Sequence, residues 1–185
     1  MYVTPEQEVL LESLGKAGCL TLDQAVKIMR SRTPRMAASL GKRLVDQLAH
    51  INKVRLLPDG IITTYLFGRR DDDMLAAVEV MLDVCRGLPK VWAGRRPPFI
   101  LTFLTGEKLK QFGVVRVIEG MEVGIGVAVE GASTGRRLHV IFILSTLGQK
   151  ELVSTSLPHY FVWHDGERYR YYKGGDVAGT ATNQQ

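Results

Sequence analysis

Residues 33–67, which read TPRMAASLGKRLVDQLAHINKVRLLPDGIITTYLF, contain the pattern from which the fold is predicted. Thr33 offers a hydroxyl that can cap a helix, and Pro34 suits the first helical position, where its missing N–H costs nothing. Apolar residues then recur at helical spacing and predict one buried face. That face consists of Leu40, Leu44, Leu48 and Ile51, flanked by Ala37 and Gln47.

The opposite face of this predicted helix is cationic and built from fairly small residues. Small side chains let a helix approach nucleic-acid bases closely, and Arg, Lys and Ser can contact base edges or phosphates. Gly41 is expected to mark close packing against another helix. At about 100° per residue, the outer face comprises Arg35, Ala38, Ser39, Lys42, Asp46 and Ala49, with Arg43 and His50 at its edge.

A β-hairpin is predicted immediately after the helix. Residues 53–57 alternate in the manner of a half-buried strand, the Pro-Asp-Gly of 58–60 signals a turn, and 61–67 are rich in β-branched and aromatic residues. Helix followed by hairpin is the order in the second half of winged helix-turn-helix domains, where the hairpin is the wing. The short tip cannot insert deeply into a minor groove, so we expect Lys53 and Arg55 to contact phosphates.

Positive charge is concentrated in the same region. Between Arg30 and Arg55 there are seven basic residues and one acidic residue, Asp46, a net +6, whereas the whole chain carries +5. Such a concentration is the electrostatic footprint expected of a nucleic-acid surface. A merely solvated helix face would have the same charge, and it is the helix–hairpin order that favours DNA contact.

Two further helices are predicted before this stretch. Thr4 can cap the first, with Gln7 completing a capping box, and Thr21 can cap a second that extends to about Met29. Residues 31–33 would then form the turn to the third helix. Residues 1–68 are therefore predicted to form a winged-helix DNA-binding domain.

The rest of the chain is predicted to comprise a linker at 69–98, an α/β sheet domain at 99–173 and a disordered tail at 174–185. The linker contains Asp71-Asp72-Asp73, carboxylates that suit the start of a long helix better than a metal site. That helix, which runs to about Arg86, is apolar on most faces, so it packs between layers or contacts another subunit.

The sheet domain is expected to consist mostly of strands, which makes the predicted fold class α+β. Its expected elements are strands at 99–105, 114–119, 122–129 and 137–144, a helical turn at 106–112, a helix at 147–156, and a hairpin formed by 159–163 and 169–172.

Composition excludes several classes of protein. The 185 residues are 45% hydrophobic and 23% charged, which is ordinary for globular proteins. No apolar run approaches the roughly 18 residues that span a bilayer, and the N-terminus lacks the features of a secretory signal. Cys19 and Cys85 match no metal or redox spacing and are expected to be reduced core residues. We therefore expect a cytoplasmic protein without membrane association.

The helix–hairpin of 33–67, the long helix and the strand series from 99 to 144 together resemble the replication-relaxation proteins of bacterial plasmids and conjugative elements. They also resemble uncharacterised relatives on mobile elements of Gram-positive bacteria. The resemblance implies a DNA-binding accessory role in replication, mobilisation or their control. It also implies a sheet distantly similar to the restriction-endonuclease fold.

The sequence departs from the catalytic pattern of such nucleases. An active enzyme needs an Asp and then Asp/Glu-x-Lys on adjacent strands, to hold Mg²⁺ and assist the attacking water. No Asp/Glu-x-Lys occurs in the sequence, and Glu119, Glu122 and Glu130 are the only carboxylates on the expected strands. We therefore predict a degenerate, non-catalytic sheet with no metal site and no cofactor.

Other motifs have structural interpretations. Gly124 and Gly126 are expected within a strand, where glycine marks a bulge or close packing rather than a dinucleotide loop. His139, His159 and His164 share no metal-ligand spacing.

The sequence thus predicts a non-enzymatic protein that binds double-stranded DNA and regulates replication, mobilisation or transcription. The alternatives are a divergent metal-dependent nuclease that uses Glu119 or Glu122, and a protein-interaction module. A homodimer through the 74–88 helix or the C-terminal sheet is a further hypothesis. The predicted major-groove residues are Arg35, Ser39, Lys42 and Arg43, and the predicted phosphate contacts are Arg32, Lys53 and Arg55.

Overall fold

The structure, a computed structural model, describes residues 2–65, 68–133 and 138–174. Within these ranges the chain forms five α-helices and two β-sheets, a mixed α+β fold. The end of the second predicted strand at Leu66 and Phe67, the predicted strand start at Arg137 and the predicted tail beyond Gly174 lie outside the described residues.

The N-terminal part contains three helices and a three-stranded sheet. Both predicted caps are confirmed: Thr4 and Thr21 each accept a hydrogen bond from the backbone N–H of a glutamine three residues on, and each glutamine side chain accepts one from the backbone N–H of its threonine. The elements are α1 (Pro5–Ala17), β1 (Cys19–Thr21), α2 (Leu22–Met29), α3 (Ala38–His50), β2 (Val54–Leu56) and β3 (Ile61–Thr64).

The small sheet is antiparallel, in the order β1-β3-β2. Leu20, Val54 and Ile62 on one face pack with the buried residues of the three helices. Cys19 and Ile61 on the other face pack against Leu75. Both faces of the central strand are therefore covered, and β2 is a free edge.

Helix α4 (Asp72–Cys85) lies between the two sheets. Asp71 caps it through a 3.0 Å hydrogen bond from the Met74 N–H, which confirms the expected role of the aspartate run. The helix contacts α1, α2 and β1 on one side and two strands of the larger sheet on the other. Seven of its residues are buried within the chain itself: Met74, Leu75, Ala77, Val78, Val80, Met81 and Leu82.

The larger sheet has six strands in sequence order. They are β4 (Val91–Ala93), β5 (Leu101–Thr105), β6 (Lys110–Arg116), β7 (Leu138–Leu144), β8 (His159–His164) and β9 (Tyr169–Lys173). Strands β6, β7 and β8 are parallel, and the remaining pairs are antiparallel. The hairpin predicted around Asp165-Gly166 is confirmed as β8–β9.

Several predictions for this region are wrong. Residues 122–129 belong to helix α5 (Glu122–Ala132), not to a strand, because parallel neighbours such as β6 and β7 need a crossover connection. The expected helix at 147–156 is only a 3₁₀ helix, Leu147–Glu151. The expected helical turn at 106–112 is a short turn followed by the start of β6, and the connector before residue 98 contains β4.

Apolar residues cover both faces of the six-stranded sheet. One face joins α4 and the three N-terminal helices in a contiguous core that extends from Leu10 to Val162. The other face forms a second core, in which Val129 of α5 and Val153 pack with strand residues such as Phe142. Helix α4 and helix α5 therefore lie on opposite sides of the sheet. Among the described residues, no helix combines the length and the apolar character needed to cross a membrane.

Candidate nucleic-acid interface

Helix α3 packs on the N-terminal core by one narrow face. Gly41, Leu44, Val45 and Leu48 are buried. A methyl group on Gly41 would lie 2.8 Å from Val26 Cγ2, which confirms that this glycine permits close helix packing.

The buried face of α3 is rotated from the predicted one. Leu40, expected in the core, is 37% exposed, whereas Val45 is fully buried. The rotation of the buried face does not remove the cationic surface, because the remaining positions of the helix are exposed except for the half-buried Ala49. They include Ser39, Lys42, Arg43, Asp46, Gln47 and His50.

The first residue of α3 also differs from the prediction. The helix begins at Ala38, after a turn in which the Met36 N–H donates to the Thr33 carbonyl at 2.9 Å. Thr33 therefore does not cap α3, and its hydroxyl instead donates to Glu6 in α1 at 2.6 Å. Met36 is buried and holds the turn against the core.

The turn places Arg32 and Arg35 outside the helix, and both are exposed. Arg35, predicted on the outer helical face, instead precedes the helix. Arg32 interacts electrostatically with Glu6 and Glu12 of α1. The pKa of Glu6 is lowered mainly by the hydrogen bond from Thr33, and that of Glu12 mainly by Lys16, with Arg32 adding a small effect to each. Part of the charge of Arg32 is thus offset locally.

The hairpin continues the surface from the C-terminus of α3. Asn52 adopts a left-handed backbone with φ 56°, and the Lys53 N–H donates to the Leu48 carbonyl at 2.9 Å, which turns the chain directly into β2. Lys53, immediately before β2, and Arg55, within it, are both exposed. Arg55 lies opposite Thr63 of β3.

The seven predicted contact residues share two properties. All are exposed, and within the described ranges none of them forms an ion pair with a carboxylate. Elsewhere in the chain, Lys16, Lys27, Arg70, Arg95 and Arg170 are each paired. The cationic groups around α3 are therefore available to an external anion.

A second arginine cluster, missed by sequence reasoning, lies beside the hairpin tip. Arg70 pairs with Asp59 at 2.7 Å and with Asp72 at 2.6 Å, and Arg95 pairs with Asp71 at 2.7 Å. An open cleft of about 500 Å³ lies between Arg69, Arg70, Asp71 and Arg95. The carboxylates largely balance these arginines, so this cluster tethers the hairpin tip to the start of α4.

The carboxylates considered for nuclease chemistry have other partners. Glu122 and Glu130 lie on α5 rather than on strands, and Glu119 lies in the exposed loop before that helix. Glu122 accepts from Gln149 at 3.1 Å, which lowers its pKa. Glu130 accepts from the Ser156 N–H and the Thr155 hydroxyl, which lower its pKa as well. Both therefore attach the segment after β7 to α5.

The three histidines after α3, His139, His159 and His164, lie in the large sheet without common partners. His139 lies between Phe112 and Tyr160, with ring centroids 5.1 and 6.4 Å away, and burial lowers its pKa. His159 donates through Nδ1–H to the Leu157 carbonyl, and His164 accepts from the Gly166 N–H. In the described part of the chain, no three His, Cys, Asp or Glu side chains lie close enough together to hold a metal ion.

No protein-family model matches the chain, and searches of curated proteins and of solved structures found no significant match.

Proposed function

We propose that the chain binds double-stranded DNA through α3 and the β2–β3 hairpin, in the manner of a winged helix-turn-helix. Three helices and an antiparallel sheet follow one another in the order α1-β1-α2-α3-β2-β3, with β3 central, which is the arrangement of such domains. The observation that carries the proposal is the exposure of seven candidate residues on and beside α3, six of them cationic, without ion-pair partners among the described residues.

The residues divide by their position on this surface. Ser39, Lys42 and Arg43 occupy the first part of the exposed face of α3, and Arg35 precedes it, which suits contacts to base edges in a major groove. The phosphate contacts are Arg32, Lys53 and Arg55, on the flanking turn and edge strand. A short wing tethered by Arg70 suits backbone contact better than insertion into a minor groove.

The proposed biological role follows from the resemblance to replication-relaxation proteins. The protein would act as a non-catalytic accessory or regulator of replication, mobilisation or transcription on a mobile element. Glu122 lies on a helix and is bonded to Gln149, and Glu119 lies in an exposed loop rather than on a strand, which supports this choice over the nuclease alternative.

Replacement of two cationic residues tests the proposal. We expect Arg35→Ala with Arg43→Ala to weaken binding to duplex DNA by about tenfold or more at moderate salt, and to reduce the slope of log K against log salt by about 2 if both contact phosphates, or less if they read bases. Fluorescence anisotropy across a salt titration measures both quantities. Circular dichroism checks that the fold is retained.

The matched control is Lys108→Ala with Arg168→Ala, which removes the same charge from exposed turns at the larger sheet. We expect this control to bind within about twofold of wild type. Equal affinity in wild type and the α3 double variant would contradict the proposal. Absence of salt-dependent DNA binding in the wild type would instead favour a protein partner for the same surface.

A further inference from the structure

Helix α5 presents apolar side chains to the outside. Val123 is 70% exposed and Val127 67%, and the preceding residues Ile118 and Met121 are 63% and 58% exposed. Gly126 and Val129 face the interior. Most surface helices show the opposite arrangement, with polar residues outward. The outer face of α5 is defined here as Ile118, Met121, Val123, Gly124, Val127 and Ala128.

The only charged groups of α5 are turned toward the chain. Glu122 is buried and bonded to Gln149, and Glu130 is bonded to Thr155 and to the Ser156 backbone. The helix thus lacks a charge along its outer face. Between Ile118, Met121 and Ala128 lies a shallow apolar hollow of about 130 Å³, whose lining includes Arg116. That arginine donates to Ser145 at 3.1 Å.

The area of this face is large for a surface that is never covered. With the small residues between them, the exposed side chains present on the order of 600 Å², close to the roughly 800 Å² that each partner contributes to a standard-size interface. Gly124 and Ala128 lie one helical turn apart, and small residues at this spacing let two helices approach closely.

We propose that this face binds the same face of a second copy of the chain. A two-fold interface brings the residues near its axis against their own copies, so a charge there would be repelled, and the side chains of the outer face of α5 carry none. The whole chain carries +5, which makes an uncharged contact more important for self-association. A helix that lies on a lipid surface would have Lys or Arg on its polar face, and α5 contains neither.

The position of the face leaves the proposed DNA surface free. Helix α5 covers the side of the six-stranded sheet opposite to α4 and the N-terminal helices. A dimer through α5 therefore carries its two N-terminal parts on its outer sides. The inference stands independently of DNA binding, because its evidence is the apolar face alone.

Sedimentation equilibrium of the full chain, from about 1 to about 200 µM, tests the proposal. We expect wild type to form a dimer, and Val123→Asp to weaken dimerisation by roughly 100-fold or more, because two carboxylates would be buried in the contact. Val123 lies in the first turn of α5, where an acidic residue is compatible with the helix. Thermal unfolding checks that this variant folds.

The matched control is Leu109→Asp, which places the same charge at a residue of similar exposure, 66%, in the turn before β6. We expect this variant to dimerise as wild type does. A monomeric wild type across the whole range overturns the proposal, whatever else binds the face. A dimer that Val123→Asp leaves intact overturns it as well, since the contact would then lie elsewhere.

Discussion

At the residue scale, three buried glutamines connect elements that are distant in sequence. Each uses its side-chain oxygen locally, where Gln7 accepts from the Thr4 N–H, Gln24 from the Thr21 N–H and Gln149 from the Thr146 N–H. Each uses its side-chain nitrogen to reach another element. The acceptors are the Leu44 carbonyl of α3, the Leu75 carbonyl of α4 and the Glu122 carboxylate of α5.

An amide suits each of these positions because one side chain accepts through its oxygen and donates through its nitrogen, whereas the carboxylate of glutamate only accepts. A capping box in isolation takes glutamate as well as glutamine. Here glutamate would keep the cap but lose the donor to the second element, and it would place a carboxylate against a carbonyl oxygen. The pattern of the sequence shows the cap, whereas the second bond depends on the packing.

We therefore expect Gln24→Glu to lower the free energy of unfolding by about 2–4 kcal/mol, because a buried charge would face the Leu75 carbonyl and Glu79. Urea unfolding at neutral pH measures the change. Gln47→Glu, at an exposed position of α3 where the new carboxylate can still accept from Gln7, is the control and should change stability by less than about 0.5 kcal/mol. Equal stability of Gln24→Glu and wild type would show that the donor bond contributes little.

At the element scale, α5 forms from a segment with little helical preference of its own. Its sequence, EVGIGVAVEGA, combines glycines with β-branched residues, both unfavourable in helices. Hydrogen bonds to Glu122 and Glu130 hold its two ends, and Gly126 lets the backbone at Ser154 pass directly against it. Tertiary contacts therefore stabilise this helix against its local preference.

Two glycines of α5 should respond oppositely to the same substitution. A methyl group at Gly126 would overlap the Ser154 carbonyl oxygen, whereas one at Gly124 meets nothing within 4 Å. We expect Gly126→Ala to destabilise the protein by about 1–3 kcal/mol and Gly124→Ala to stabilise it by up to about 1 kcal/mol. Chemical unfolding at low protein concentration, which limits any effect of self-association, measures both.

Each variant is the control for the other, because both replace a glycine of α5 by alanine and so add one methyl group to the same helix. Stabilisation by Gly126→Ala would mean that the segment after Leu152 does not pack on α5 as described. Destabilisation by Gly124→Ala at low concentration would mean that this position is not open.

At the scale of the whole molecule, α4 joins the two sheets through one apolar core. Its buried residues contact the N-terminal helices and strands β5 and β6. Gln24 and Lys27 of α2 add polar contacts to α4, with Lys27 and Glu79 2.5 Å apart. Separation of the N-terminal part from the sheet would expose much of this core to water, at a cost that scales with the apolar area.

We expect the chain to unfold in one cooperative transition. Far-UV circular dichroism reports mainly the helices, four of the five in the first half of the chain, whereas the fluorescence of Trp92 and Trp163 reports the six-stranded sheet. In urea the two signals should have coincident midpoints, because the core is shared. Midpoints that differ clearly would show that residues 1–68 and 99–173 unfold as independent domains, as the predicted domain division allows.

The sequence alone determined the elements whose signals are local. The caps of α1, α2 and α4, the β2–β3 and β8–β9 hairpins and the exposed cations after Met29 depend on hydrogen bonds and periodicities within a few residues. Because these hydrogen bonds and periodicities involve only residues close in sequence, they do not depend on how the rest of the chain packs. They can therefore be predicted from the sequence alone.

Only the tertiary structure decided the features that depend on distant contacts. Helix α5 exists because β6 and β7 pair in parallel, and α3 begins at Ala38 because Met36 is buried and Thr33 bonds to α1. The rotation of α3 that buries Val45 is set by the helices it packs on. Free energy from burial and from hydrogen bonds between distant residues outweighed local preference at each of these positions.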